Sequence, residues 1–135
     1  MRDLKDTVAW ITGAGTGIGE GAAVAMAREG AKVILTGRRL DPLKQVSKKI
    51  EDAGGFVEIA QGDAMDRPGM MALAKDIQNR YGKLDLLFNN HGINITNRNW
   101  GGGNLEGWDE VIDVNVKGAY NCALAALEVM RPQGP

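Results

Sequence analysis

The run from Thr12 to Gly19, TGAGTGIG, holds four glycines, three of them, Gly13, Gly17 and Gly19, at intervals of four and two residues, directly after an apolar stretch, VAWIT, from Val8 to Thr12. Beyond it Ala22, Ala23, Met26 and Ala27 recur at helical spacing, and a second apolar run, KVILT, occupies Lys32 to Thr36. Buried strand, sharp glycine turn, helix and second buried strand, in that order and with so little chain between them, leave few possibilities. They predict a βαβ unit with a right-handed crossover and a parallel strand pair.

The pattern continues. Two further apolar runs follow, FVEIA (56–60) and LDLLF (84–88). Before the first, Asp41 reads as an N-cap with Pro42 at the first helical position, and Leu43, Val46 and Ile50 line one face until Gly54-Gly55 ends the helix. Asp66 caps a third helix, in which Met70, Leu73, Ala74 and Ile77 share a face before Gly82 stops it. A last helix is predicted from about Leu105 to Met130, with Trp108, Val111, Ile112, Val116, Tyr120 and Leu124 on its apolar side. The expected fold class is α/β: a Rossmann-like, doubly wound parallel sheet of about four strands with helices on both faces, forming one domain over residues 1–135.

Composition narrows the function classes. A net charge of −1 gives no electrostatic case for nucleic acid or an anionic membrane surface. No stretch approaches the roughly 20 apolar residues of a membrane span, and the mixed charges of MRDLKDTVAW do not read as a signal peptide. The expected location is cytoplasmic, where the sequon Asn94-Ile95-Thr96 has no role. One histidine and one cysteine exclude a His/Cys metal cluster, and Cys122, in an apolar helical stretch, reads as a buried thiol. The 19 glycines exceed what helices and strands can use, so many must sit where the backbone bends sharply or approaches something closely.

Placed between strand and helix, the glycine turn has a chemistry. Gly13 suits the tight turn, Gly17 lets backbone approach a pyrophosphate, and Gly19 permits close helix–strand packing, while free N–H groups and the helix dipole face the phosphates. Sites for NAD usually place a carboxylate at the end of the second strand to bond the ribose 2′-hydroxyl. Here Gly37 is followed by Arg38 and Arg39, whose guanidinium groups would pair with a 2′-phosphate. NADP(H) is therefore favoured over NAD(H).

These residues resemble the short-chain dehydrogenase/reductase family along essentially the whole chain. Its T-G-x-x-x-G-x-G turn is matched by Thr12, Gly13, Gly17 and Gly19, and its acidic adenine contact by Asp63 in QGDAMD. Its N-N-A-G element is matched by NNHG, Asn89 to Gly92, and its helical asparagine by Asn115 in WDEVIDVNVKG. The resemblance implies a cofactor site of Gly13, Gly15, Thr16, Gly17, Ile18, Gly19, Arg38, Arg39, Asp63, Ala64, Asn89, Asn90 and Gly92, and a small-molecule substrate. The closest flavour is that of a 3-oxoacyl-carrier-protein reductase or a sugar or alcohol dehydrogenase.

There are two departures. His91 replaces the family's small alanine, and the sequence stops at LEVMRPQGP, where relatives begin a fifth strand. The family's catalytic Ser and Tyr-x-x-x-Lys pair have no counterpart, leaving Asn115 and, as a substitute proton donor, His91 as catalytic candidates. Two readings stay open: a reduced oxidoreductase acting weakly on a small carbonyl or alcohol, or a dinucleotide-binding module or fragment without turnover. Both carry the expectation of a homodimer or tetramer, joined through the last helix, the fourth-strand edge, or both.

Overall fold

Along the first strand, β1 (Val8–Thr12), every residue is buried, and successive side chains enter opposite cores. Val8 and Trp10 join Ile34, Met70, Ala74, Ile77 and Leu84 on one face. Ala9 and Ile11 join Ala23, Ala27, Val33, Leu35, Leu43, Val46 and Ile50 on the other. A strand buried at every position is what a parallel sheet covered on both faces requires. The computed structural model describes residues 3–97 and 99–135, and they form that sheet.

The strands β1, β2 (Lys32–Thr36), β3 (Phe56–Ile59) and β4 (Leu86–Phe88) are all parallel and lie in the order β3-β2-β1-β4. The helices α1 (Gly17–Arg28) and α2 (Leu40–Asp52) cover one face. The other is covered by α3 (Arg67–Tyr81) and α5 (Gly118–Met130). The expected doubly wound architecture is the observed one. Burying one Ile or Leu contributes about 1.5–3 kcal/mol, whereas an exposed pair such as Lys48–Asp52 contributes about 0–1 kcal/mol. The two cores, not the surface ion pairs, hold the sheet.

Capping follows the sequence in one helix and not in another. The Asp66 carboxylate accepts the Gly69 N–H at 3.1 Å to start α3, and Gly82, at φ +77°, ends it. Asp41 does not cap α2: the helix starts at Leu40 with Arg39 at the N-cap, putting Asp41 and Pro42 inside the first turn. Pro42 is harmless there, because the first turn has no internal acceptors to lose.

The predicted last helix is corrected more deeply. It divides into α4 (Leu105–Ile112), a π turn over Asp113–Lys117, and α5. The wide turn inserts one residue, which rotates everything beyond it by about 100° relative to a continuous helix. Ile112, Val116 and Tyr120, expected on the buried side, are exposed by more than half. The face that meets α3 is built instead from Gly118, Asn121, Cys122, Ala125, Ala126 and Val129. Small residues there let two helices approach closely.

Candidate functional site

The sheet order reverses at β1: the chain winds outward through β2 and β3, then returns to place β4 on β1's other side. Ligands of open α/β sheets bind at this switch point, outside the carboxyl ends of the strands. A cleft of about 730 Å³, its open mouth included, lies there. Its floor is Thr12, Gly13, Gly15 and Thr16; the end of β2 and the residues after it contribute Thr36 to Arg39, the segment after β3 contributes Gly62 to Ala64, and the segment after β4 contributes His91 to Ile93.

Glycine geometry explains the floor. Gly13 has φ +60°, and a Cβ there would lie 2.7 Å from the Asn90 carbonyl oxygen. Gly17, at φ +58°, faces open space, and a Cβ on Gly19 would run into the Gly13 carbonyl. At positions 13 and 19 there is no room even for a Cβ, so the turn and α1 close directly onto the neighbouring backbone. Thr16 occupies the α1 N-cap without a side-chain hydrogen bond, leaving the first-turn N–H groups without a cap. Such an end favours an anion.

Arg38 and Arg39 stand exposed on the wall beyond β2, and neither joins an ion pair among the described residues. The backbone beneath them is fixed, since Gln61 Nε2 donates to the Arg38 carbonyl at 2.8 Å and the Gly62 N–H to the Gly37 carbonyl at 3.1 Å. Asp63 Oδ1 accepts the Met65 N–H at 2.9 Å, closing the turn that presents Asp63 and the buried Ala64 to the cleft.

Thr12 organises the β4 side. Its hydroxyl accepts the N–H groups of Asn90 at 3.0 Å and His91 at 3.2 Å. Asn90 Nδ2 donates to the Gly13 carbonyl at 3.3 Å, and Asn89 Nδ2 to the Ala119 carbonyl at 2.9 Å. Asn115 bonds the Ile93 peptide at both ends: Oδ1 accepts its N–H at 2.8 Å and Nδ2 donates to its carbonyl at 3.0 Å. His91 Nε2 lies 3.0 Å from the Val114 carbonyl, which only accepts, so the bonding assigns the ring proton to Nε2. Its Nδ1 faces the Thr12 hydroxyl at 3.4 Å.

Of the residues singled out from sequence, Gly13, Gly15, Thr16, Arg38, Arg39, Asp63, Ala64, His91 and Gly92 line the cleft. Gly17, Ile18 and Gly19 form the start of α1 beside it, while Asn89, Asn90 and Asn115 stand behind it, bonded to backbone. Thr36, Pro42, Leu43, Gly62, Ile93 and Val114 also line it and were not foreseen. Pro42 and Leu43 carried a helix signal only, and Val114 reaches the cleft through a π turn that has no sequence mark.

Residues 7–135 match the family model for short chain dehydrogenase. The chain belongs to that family. It is 37% identical over 133 residues to an uncharacterised oxidoreductase of Staphylococcus aureus strain N315, covering 98% of this chain and 56% of that protein. Among solved structures, a short-chain type dehydrogenase/reductase from Mycobacterium marinum superposes with a TM-score of 0.90 at 32% identity, covering 98% of this chain and 53% of the other. A metagenomic short-chain oxidoreductase in complex with NADP gives a TM-score of 0.82 at 31% identity, with 97% and 57% covered. The chain thus spans little more than half the length of these relatives.

Proposed function

We propose that this chain binds NADP(H) in the cleft and serves an oxidoreductase acting on a small carbonyl or alcohol. The observation that carries the reading is the pairing of two arginines that join no ion pair among the described residues, just after β2, with an uncapped α1 N-terminus on the same cleft. The first matches a 2′-phosphate and the second a pyrophosphate. A carboxylate at the position of Arg38 would have favoured NAD(H); none stands there. The relative bound to NADP supports the same preference.

In this reading Gly13, Gly15, Thr16, Gly17, Ile18 and Gly19 present backbone to the pyrophosphate, Arg38 and Arg39 take the 2′-phosphate, and Asp63 and Ala64 flank the adenine. Asn89, Asn90 and Gly92 shape the opposite end. Bound there, a nicotinamide dinucleotide would supply the hydride. Carbonyl reduction also consumes a proton. His91 reaches a substrate only by giving up a partner, and Asn115 only by releasing Ile93, so water entering the open mouth is the simpler source for this chain.

That commitment of polar atoms favours a second reading, cofactor binding without turnover by these residues alone. One titration separates the two. NADPH fluorescence is followed on addition of protein, then on addition of a panel of small carbonyls. Carbonyl-dependent loss of NADPH supports the oxidoreductase reading; a fluorescence change without turnover leaves binding alone. Replacing both Arg38 and Arg39 by Ala should weaken NADPH about 10- to 100-fold, as lost charge-assisted hydrogen bonds would, while NADH changes little. Equal effects on both cofactors would refute the 2′-phosphate assignment.

We also propose that the chain self-associates through the exposed stripe Ile112, Val116 and Tyr120, the edge of β4, or both.

A further inference from the structure

Beyond β3 the chain makes a tight turn over residues 63–66. The Asp66 N–H donates to the Asp63 carbonyl at 2.9 Å, and Asp63 Oδ1 accepts the Met65 N–H at 2.9 Å. Those bonds shape the turn; a third, from α5, fixes where it stands. Asn121 is only 4% exposed, and its Nδ2 donates to the Ala64 carbonyl at 2.9 Å in a buried bond. Its Oδ1 accepts Arg67 Nε at 2.8 Å. A backbone carbonyl only accepts and a guanidinium only donates, so the two partners fix which way the amide points. Gly118 lies three residues earlier, on the same face of α5. A Cβ there would come within 3.2 Å of the Ala64 Cβ. Helix α5 thus meets Ala64 twice, making room for its side chain and bonding its carbonyl. On its other side Ala64, with Asp63, lines the cleft at the wall assigned above to the adenine.

We propose that Asn121 is a positioning residue for the adenine end of the cofactor, holding the Asp63–Ala64 turn where it can read the edge of the purine. The inference rests on the dinucleotide reading given above. Asn121 stands behind the wall and acts through the turn it holds. Without its donor the Ala64 carbonyl would be buried and unpaired, a costly state that the turn escapes by shifting toward water. Asp63 would move with it. Its Oδ1 is committed to Met65, so Oδ2 is the oxygen left to accept the adenine 6-amino group. A displaced carboxylate forfeits that bond, whereas the phosphate contacts at the start of α1 and at Arg38 and Arg39 are held by other elements. The loss should therefore fall on recognition of the base.

The test compares two ligands by isothermal titration: NADPH, and its reduced hypoxanthine analogue, in which an oxygen replaces the adenine 6-amino group. The parent chain should prefer NADPH about fivefold, the worth of one net hydrogen bond. Asn121→Asp keeps the size of the side chain and the bond from Arg67, but a carboxylate ionised at pH 8 cannot donate to the Ala64 carbonyl. It should bring the two ligands within about twofold by weakening NADPH alone. Arg67→Ala removes the other partner of Asn121 and should keep the parent's preference; a merely structural Asn121 would make the two variants alike. Asn121→Ser, whose hydroxyl is too short to reach the carbonyl, should repeat the Asp result and replaces it where that variant does not fold. A parent without preference, equal weakening of both ligands, an unchanged preference in the Asn121 variants, or its loss in Arg67→Ala would each overturn the proposal. Failure of the parent to bind either ligand would refute the dinucleotide reading itself, and this inference with it.

Discussion

Cys122 is fully buried on the face of α5 that meets α3, and burial pushes its thiol from 9.0 up to about 11. Between those values the unfolded chain loses a proton that the folded chain keeps. The unfolded state then binds fewer protons, so stability must fall as pH rises from 9 toward 11. The full effect of one such group is about 3 kcal/mol or less. Urea unfolding of the parent and of Cys122→Ala, at pH 8 and pH 10.5, should show the steeper decline in the parent; identical declines would mean that the thiol is reachable by water. At this scale the sequence is most legible where a residue's role is local. Gly13 and Gly82 take the left-handed turns their positions suggest, and Asp66 caps the helix that begins after it. Less legible are bonds between distant residues, such as Asn115 to Ile93 or His91 to Val114, because spacing along the chain carries no record of which loop will lie against which turn.

Elements divide in the same way. The first three helices show their buried faces at ordinary helical period, and β1 and β2 stand where continuous apolar runs put them. The stretch from Leu105 to Met130 defeats the same logic, since its apolar residues keep a helical period across a turn that does not. Nothing local in DVNVK distinguishes a π turn from an α turn; it is favoured by contacts with residues 91–93. The two registers make opposite forecasts. Ala126, 2% exposed against α3, has no room for three more carbons, so Ala126→Leu should cost about 1–3 kcal/mol through overpacking. Val116→Ala, at a site 62% exposed, should change stability by about 0.5 kcal/mol or less. Thermal unfolding under dilute conditions decides between them, and a large loss for Val116→Ala with tolerance of Ala126→Leu would restore the continuous helix.

On the scale of the whole molecule, the surface is uneven in a way that bears on association. Ile112, Val116, Tyr120 and Leu127 are exposed by 56%, 62%, 56% and 42%, and follow one another at steps of four or seven residues along α4, the π turn and α5. The Arg67 guanidinium lies 5.7 Å from the Tyr120 ring centre, covering part of its face. β4, with only three residues, is one edge of the sheet and has half-buried side chains. The other edge, β3, is guarded differently: the Glu58 carboxylate pairs with Arg80, and Lys32 stands 5.8 Å from the Phe56 ring centre. Charges on an edge discourage pairing, whereas an apolar stripe beside a short bare edge invites it. A stable assembly buries about 1,200–2,000 Å² in total, so the stripe needs neighbouring residues or the β4 edge beside it to hold one. Sedimentation velocity at micromolar concentration should therefore give a dimer or larger species. Val116→Glu combined with Tyr120→Glu should shift it to monomer while the circular dichroism spectrum stays unchanged, because neither side chain contributes to a core. A chain that sediments as a monomer at every concentration would eliminate the proposed self-association and leave the stripe as ordinary exposed surface.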